Sequence, residues 1–222
     1  SKGEGLGNKF LANIRETDAI IHVLRCFDND NITHVDGSVD PVRDKEIIDI
    51  ELQLKDLESL NNRIEKVKRT AKSGDKEAIH EKEILQKAIE FIESSNNIRS
   101  IELDTLEIDK YLKPLQLITS KPVLYVCNVD ENCINSTNHY VESVKSLISK
   151  EGANLIVLAA GIESEINELD DYEERRMFLD DLGLDVPGSS KLINATYDLL
   201  NLQTYFTAGP KEVRAWTIPK LS

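Results

Sequence analysis

Hydrophobic and polar positions follow two different periods along this chain. Three short runs are almost entirely apolar, at residues 19–27, 122–128 and 153–160. Runs of this kind are typical of strands buried on both faces of a parallel sheet. Residues 140–151, between the second and third runs, have the periodicity of an amphipathic helix. A strand, a helix and a strand in this order form a βαβ unit, so the pattern predicts an α/β fold.

The strongest periodicity in the chain indicates a helical hairpin. Its apolar stripe is about 25 residues long, with helical spacing, and consists of Ile47, Ile50, Leu54, Leu57, Ile64, Val67 and Ala71. Gly74 and Asp75 then suit the end of one helix and the start of the next. A second stripe runs from Ala78 to Ile92, and helices with a short connection pair antiparallel. Because the hairpin interrupts the α/β pattern, we expect it to be inserted into that domain.

Weaker patterns complete the predicted element order. Helices are predicted at residues 6–16, 164–182 and 189–200, and a short helix capped by Asp104 should end before Pro114. Residues 28–40 are polar and rich in turn formers, which predicts a loop. A further strand is predicted to start at Thr204.

Composition narrows the class of protein. The 222 residues are 40% hydrophobic and 30% charged, as in soluble globular domains. The net charge of −13 argues against bulk attraction to DNA or anionic lipid, although a local basic patch can exist. No apolar run reaches the ~18 residues of a transmembrane helix. The three cysteines fit buried thiols of a reducing compartment better than disulfides or a zinc site, so we expect a cytoplasmic protein without a membrane partner.

The end of the second apolar run carries the best candidate site. Ligands of open α/β sheets bind beyond the carboxyl ends of the strands. An Asn amide donates and accepts, and a carboxylate accepts from ring N–H or amino groups, so Asn128 and Glu131 can together face a purine edge. The third run ends in small residues whose backbone can contact the base. The candidate base-binding residues are Asn128, Val129, Glu131, Ala159, Ala160 and Gly161. The alternative is a polar loop that merely follows a strand.

GTPases usually carry Asn-Lys-x-Asp at such a position, where the Asp accepts from two guanine donors. Here Val129 replaces the Lys and Glu131 replaces the Asp. The longer Glu side chain should spoil the bidentate contact, so strict guanine selectivity is not expected.

Two other segments each have two interpretations. The Gly-rich opening can be a switch near a terminal phosphate, through Gly3, Glu4 and Gly5, or a flexible lead-in to a helix. The hairpin tip is crowded with cations, namely Arg63, Lys66, Lys68, Arg69 and Lys72. These cations are either a solvated hairpin end or a contact for RNA phosphates, whose binding would be sensitive to salt.

The chain lacks the P-loop sequence that cradles the phosphates of a nucleotide in P-loop proteins. No Gly-x-x-x-x-Gly-Lys-Ser/Thr occurs among the 222 residues, so neither a P-loop lysine nor its hydroxyl ligand for Mg²⁺ is present. We assign no catalytic residue and no metal ligand. The chain opens at Ser1 in the middle of a motif, so we expect it to be the remainder of a longer nucleotide-binding protein and to be inactive in hydrolysis alone.

Long stretches of the sequence resemble the YchF, or Obg-like ATPase, family of P-loop proteins. SKGEGLGNKFLANIRETDA (1–19) looks like the switch II of that family with its following helix, and THVDG (33–37) with VDP (39–41) resembles its lead into a helical domain. NVDE (128–131) matches its Asn-x-x-Glu base motif. TYFTAGPKEVRAWTI (204–218) looks like the entry to its TGS domain.

The resemblance implies a P-loop NTPase parallel sheet (a G domain) with an inserted antiparallel coiled coil. The implied divisions are 1–39 and 118–203 for the G domain, 40–117 for the helical domain and 204–222 for the start of a truncated TGS domain. It also implies hydrolysis of ATP in preference to GTP, with Mg²⁺ and in some members K⁺, and association with the ribosome and its RNA. The alternative is a non-catalytic adaptor that binds RNA or the ribosome through the hairpin tip.

Overall fold

The computed structural model describes residues 4–34 and 37–220. Its helices are α1 (Glu4–Arg15), α2 (Pro41–Ala71), α3 (Lys76–Glu93), α4 (Thr105–Glu107), α5 (His139–Ile148), α6 (Ala160–Glu168), α7 (Tyr172–Asp181) and α8 (Gly188–Leu199). Its strands are β1 (Ile20–Arg25), β2 (Val123–Asn128), β3 (Asn154–Leu158), β4 (Leu202–Ala208) and β5 (Val213–Pro219). Short 3₁₀ or π turns occupy Ile98–Ser100, Ile108–Leu112, Lys113–Leu115, Ile118–Ser120 and Glu131–Cys133.

The chain folds as two compact units. Among the described residues, a helical unit contains residues 4–20 together with Lys45–Lys121, and an α/β unit contains residues 21–34, 37–44 and 122–220. In the described part of the chain, no helix combines the length and the apolar character needed to cross a bilayer.

The helical unit is built around the predicted hairpin. Leu60 and Ile64 of α2 share a buried cluster with Ile84 and Leu85 of α3. The break between the two helices falls where the sequence predicts it. Asp75 accepts a hydrogen bond from the Ala78 N–H at 2.7 Å. Gly74 has φ +85°, a left-handed conformation that glycine adopts without a steric penalty.

The first half of the apolar stripe on α2 departs from expectation. Ile47, Ile50 and Leu54 are 48%, 53% and 62% exposed, whereas the residues beyond Leu57 pack against α3. The cause is length, since α3 has 18 residues and α2 has 31, so α3 can cover only part of its partner.

The helix α1 also belongs to the helical unit. Leu11 packs with Leu52 of α2 and with Ile118. Arg15 donates from Nη2 to the Ser59 hydroxyl at 2.5 Å. The sequence-based division at residues 39 and 117 did not anticipate this grouping, and that division into domains stays a prediction.

The α/β unit is organised by a three-stranded sheet in the order β1-β2-β3. β2 and β3 run parallel, with Leu124 opposite Asn154 and Asn128 opposite Leu158. β2 is the central strand, and its residues from Val123 to Cys127 are at most 6% exposed. The predicted α/β fold with a parallel sheet and a helical hairpin is therefore confirmed.

Two predicted elements differ from the sequence-based expectation. β1 is an edge strand whose Ile21 and Val23 are 42% and 60% exposed, not a strand buried on both faces. The single helix predicted at 164–182 is divided into α6 and α7. Asp171 causes the division, because its carboxylate accepts from the Glu173 N–H at 2.7 Å and starts a new helix.

The two ends of the described chain also differ from the sequence-based expectation. α1 begins at Glu4, two residues before the helix predicted at 6–16, so Gly5 lies within a helix and not in the predicted loop. The strand predicted from Thr204 begins earlier, at Leu202, and extends to Ala208. It pairs with β5 as an antiparallel hairpin, with Leu202 opposite Pro219. Its assignment to a TGS domain stays a prediction.

Candidate functional site

A cleft of about 410 Å³ lies at the carboxyl ends of the three parallel strands, within the α/β unit. The segments that follow β1, β2 and β3 each contribute to it, as expected for ligand sites of open α/β sheets. The lining residues are Phe27, Asp28, Asn29, Ile32, Asn128, Val129, Asp130, Glu131, Asn132, Ala159, Ala160 and Gly161. All the predicted base-binding residues therefore meet at one cleft.

Asn128 is held in place by the start of α6, directly after the neighbouring strand β3. It is the last residue of β2, and its Oδ1 accepts a hydrogen bond from the Ala160 N–H at 2.9 Å. With the oxygen engaged in this way, the amide nitrogen remains as the donor of two hydrogens. The side chain can therefore donate to an acceptor on a ligand while its orientation stays fixed.

Val129 and Asp130 have structural roles at the floor of the cleft. Val129 is 3% exposed, and its N–H donates to the Leu158 carbonyl at 2.9 Å, which extends the β2–β3 pairing by one step. Asp130 Oδ1 accepts from the Cys133 N–H at 3.0 Å and so caps the turn Glu131–Cys133. Asp130 is thus engaged in the turn through Oδ1, so Glu131 is the better candidate of the two acids for a ligand contact.

Glu131 and the loop after β3 approach each other closely. A Cβ atom placed on Gly161 would lie 3.5 Å from Glu131 Oε1. Glu131 is exposed, so its carboxylate retains acceptor capacity. The amide of Asn128, the carboxylate of Glu131 and the backbone at residues 160–161 thus form one polar rim, and their role in base binding stays a prediction.

The wall supplied by the segment after β1 was missed at the sequence level. Phe27, Asp28, Asn29 and Ile32 line the cleft, whereas the sequence predicts only a polar loop there. The available signal was the aromatic Phe27 as the last residue of an apolar run, at a strand end where ligands bind.

Arg25 organises this wall from the last position of β1. Its guanidinium donates to the carbonyl oxygens of Phe27, Asn29 and Ile32 at 3.1, 3.2 and 3.0 Å. Its Cζ also lies 5.0 Å from the centroid of the Phe27 ring, within the range of a cation–π contact.

The helix α5 supports the start of the same wall. Asn138 caps α5 by accepting from the Val141 N–H at 2.9 Å, and its Nδ2 donates to the Cys26 carbonyl at 2.8 Å. The Tyr140 hydroxyl donates to Asp28 Oδ1 at 2.8 Å, and this hydrogen bond raises the pKa of Tyr140.

Two buried thiols lie beneath the strand ends. Cys26 and Cys127 are both 0% exposed, and no disulfide joins them. A hydrogen bond with the Cys127 thiol, together with burial, raises the pKa of Cys26. Cys26 therefore stays a neutral thiol, and neither cysteine lines the cleft.

The predicted switch segment contributes nothing to the described geometry of the cleft. Gly3 lies outside the described residues. Glu4 and Gly5 form the first positions of α1 in the helical unit. Their predicted response to a terminal phosphate stays a prediction.

The cations at the hairpin tip divide into two groups. Arg63 Nε donates to Glu81 Oε1 at 2.6 Å, and Lys68 pairs with Glu65 at 2.5 Å. Lys66, Arg69 and Lys72 are exposed. No ion pair involves these three within the residues that the structure describes.

Metal-binding side chains are not clustered in the described ranges. Within residues 4–34 and 37–220, no group of three or more His, Cys, Asp and Glu side chains could hold a metal ion. The expectation that this chain supplies no metal ligand stays a prediction.

The sheet, the helical unit and the cleft define an α/β protein with a parallel three-stranded sheet and a helical hairpin. No family model matches the chain. It is 52% identical over 219 residues to the "Ribosome-binding ATPase YchF" of Pasteurella multocida. It is also 52% identical over 222 residues to the protein of the same name from Bacillus subtilis. Each match covers 99% of this chain and 60% of the relative.

The fold matches that of a solved relative. The structure of the Schizosaccharomyces pombe YchF GTPase superimposes with a TM-score of 0.85 and 32% identity, over 96% of this chain and 58% of that one. The chain belongs to the YchF family, and it spans about 60% of the length of the curated relatives that it matches.

Proposed function

We propose that this chain supplies the base-binding part of a nucleotide-hydrolysing protein that prefers ATP to GTP. One observation carries the proposal: Asn128, fixed by the Ala160 N–H at 2.9 Å, shares a cleft with the carboxylate of Glu131. Relatives 52% identical to this chain are named ATPases, which supports the same activity for the whole protein.

The chemistry of the cleft suits a purine. The amide nitrogen of Asn128 donates, as a purine ring nitrogen requires, and the carboxylate of Glu131 accepts, as an exocyclic amino group requires. Phe27 and Ala159 provide apolar surface for the faces of the base. Adenine carries its amino group on the Watson–Crick edge without an adjacent ring N–H, so it does not need the short bidentate carboxylate that guanine uses.

The phosphate half of the site is not assigned to this chain. Its 222 residues contain no P-loop sequence, so other segments would have to hold the phosphates together with Mg²⁺ and, where required, K⁺. The metal ion supplies charge stabilisation at the transferring phosphoryl group. For this reason we expect no hydrolysis by the 222 residues alone.

The test of the base site is the variant Glu131→Asp in the chain extended to the length of its relatives. Shortening the acid should favour guanine, so we expect the ratio of ATP to GTP affinity to shift toward GTP by about tenfold, or about 1.4 kcal/mol. Titration with fluorescent analogues of both nucleotides measures the ratio. Val129 is left unchanged, because it is 3% exposed and a lysine there would bury an amine.

The matched control is Glu165→Asp, an exposed acid on α6 outside the cleft lining. It should leave both affinities unchanged. If Glu131→Asp also leaves the ratio at its original value, the base-binding role of Glu131 is wrong.

The same proposal includes the ribosome as partner and hence a cytoplasmic location. The relatives are named as ribosome-binding proteins, and three exposed cations at the hairpin tip suit the phosphates of ribosomal RNA. A non-catalytic adaptor that uses the same tip is the second candidate, and retention of ribosome binding by a variant without nucleotide affinity would favour it.

A further inference from the structure

We infer that Arg25 is a positioning residue that holds the wall of the base cleft formed by Phe27 and Ile32. This inference rests on the proposed function, because it assigns Arg25 a role in the same nucleotide site. Arg25 itself does not line the cleft. It acts through the loop that does.

The Arg25 guanidinium connects three points of the loop that follows β1. Three different nitrogens of one guanidinium, Nε, Nη1 and Nη2, each donate to a different backbone carbonyl between Phe27 and Ile32. A guanidinium presents its donors in a fixed plane, whereas a lysine ammonium is a compact charge on a flexible stem. Arg25 can therefore fix three points of the loop at once, and a lysine at this position cannot.

No carboxylate competes for the guanidinium. In the described residues Arg25 forms no ion pair with an acidic side chain, and its hydrogen bonds go to main-chain oxygens. Its charge also lies over the Phe27 ring, at 5.0 Å from the centroid. The hydrogen bond to the Phe27 carbonyl and the cation–π contact together restrict Phe27, whose ring borders the cleft.

The two ends of the wall have different supports. Asn138, which caps α5, and Tyr140 of α5 hold residues 26 and 28, so that end should keep its position without Arg25. Residues 29–32 depend on the guanidinium and on a local turn in which the Ile32 N–H donates to the Asn29 carbonyl at 3.1 Å. Loss of the three guanidinium hydrogen bonds should therefore increase the mobility of residues 29–32 more than that of residues 26–28.

A preorganised wall improves binding because the ligand does not have to order it. The chemistry of hydrolysis takes place at the phosphates, away from the base. A more mobile wall should therefore weaken binding of the substrate and of the transition state equally, which raises KM and leaves kcat unchanged.

The experiment compares Arg25→Lys with the unchanged protein by two measurements. Hydrogen exchange on the 222-residue chain should show faster exchange of the amides of residues 29–32, with the β2 amides unchanged. In the chain extended to the length of its relatives, KM for ATP should rise by about tenfold at unchanged kcat. Arg25→Gln is the second variant if Arg25→Lys does not fold.

The matched control is Arg99→Lys, which alters another arginine that donates to a backbone carbonyl, that of Lys121 at 3.1 Å in the helical unit. It should change neither measurement. Unchanged exchange at residues 29–32 in Arg25→Lys would overturn the inference, whatever the nucleotide affinity. Faster exchange with an unchanged KM would also overturn it, provided that Glu131→Asp alters nucleotide selectivity. If Glu131→Asp has no effect either, the proposed function itself fails.

Discussion

At the scale of single residues, side chains form hydrogen bonds with backbone groups that lack a backbone partner at the ends of strands and helices. Glu163 of α6 is an example. Its two carboxylate oxygens accept from the Gly188 and Ser189 N–H groups at 2.5 and 2.9 Å, which caps the start of α8. The first N–H groups of a helix have no partner within the helix, so this single acid satisfies two of them.

The close approach of Glu163 requires glycine at position 188. A Cβ atom on Gly188 would lie 2.8 Å from Glu163 Oε1 and 3.0 Å from Leu158 Cβ. The carboxylate can move only by giving up its capping bonds, and Leu158 Cβ is fixed by β3. We expect Gly188→Ala to lower the free energy of unfolding by about 1–3 kcal/mol, measured by urea denaturation.

The matched control is Gly7→Ala on α1, where a Cβ atom would meet nothing within 4 Å. That substitution should stabilise the helix by about 0.5–1 kcal/mol. Equal effects of the two substitutions would contradict the steric explanation.

Residue-scale prediction succeeds where chemistry follows a strong pattern. That Asn128 and Glu131 line one cleft could be predicted, because they lie at and just beyond the end of an apolar run, where ligands of α/β sheets bind. Phe27 and Ile32 could not, because their loop has no periodicity. Its shape also depends on Arg25 bonds to carbonyl oxygens, which every residue carries and which leave no mark in a sequence.

At the scale of elements, a buried carboxylate joins α2 to the turn Ile118–Ser120. Asp56 is 0% exposed and accepts from the Ile118 and Thr119 N–H groups at 2.9 and 2.7 Å and from the Thr119 hydroxyl at 2.8 Å. The Arg15 guanidinium lies 3.7 Å away. One side chain thus connects three segments of the helical unit.

The stability contributed by Asp56 should depend on pH. Burial raises the pKa of Asp56 above 3.8, with the hydrogen bonds from Thr119 and Ile118 opposing the shift. An acid whose pKa is raised on folding contributes stability that is fully present below 3.8 and is lost as the pH rises through the folded value. Relative to Asp56→Asn, the unchanged protein should therefore lose free energy of unfolding as the pH rises from 4.

Urea denaturation of the unchanged protein and of Asp56→Asn between pH 4 and pH 7 measures their free energies of unfolding. The advantage of the unchanged protein over Asp56→Asn should narrow as the pH increases. Asp56→Ala serves as the comparison, because it leaves the buried N–H groups of Ile118 and Thr119 without an acceptor. Each unpaired group costs about 1–3 kcal/mol. A difference from Asp56→Asn that widens with pH would show that burial does not dominate the pKa.

Element boundaries that depend on caps and pairing were the hardest to predict. The break at Gly74 and Asp75 was visible because both residues have strong positional preferences. Asp171 starts α7 within a stretch of continuous helical character, so its capping role was hidden. The exposure of β1 depends on its position at the edge of the sheet, and a hydrophobic run alone does not distinguish an edge strand from a central one.

At the scale of the whole molecule, charge is distributed unevenly. The net charge is −13, yet the hairpin tip presents Lys66, Arg69 and Lys72 without ion-pair partners in the described part of the chain. Exposed charges are screened beyond about 8 Å at physiological ionic strength. A local group of cations can therefore contact a phosphate backbone even though the protein as a whole repels it.

The tip hypothesis can be tested by reversing the charge of these three residues together. Arg63 and Lys68 stay unchanged, because they are already paired with Glu81 and Glu65. If Lys66, Arg69 and Lys72 each contact an RNA phosphate, the triple change to Glu should weaken ribosome co-sedimentation. It should also reduce the slope of log affinity against log salt by about 0.7–0.9 per lost contact.

The control for that experiment applies the same charge change elsewhere, at Lys150, Lys191 and Lys211, which are exposed residues of the α/β unit. Both triple variants make the net charge more negative by the same amount, so general repulsion from RNA affects them equally. A steeper loss for the tip variant, with a reduced salt slope, assigns the effect to local phosphate contacts. If both variants bind alike, the tip cations are a solvated hairpin end, and ribosome association must depend on another surface of the protein.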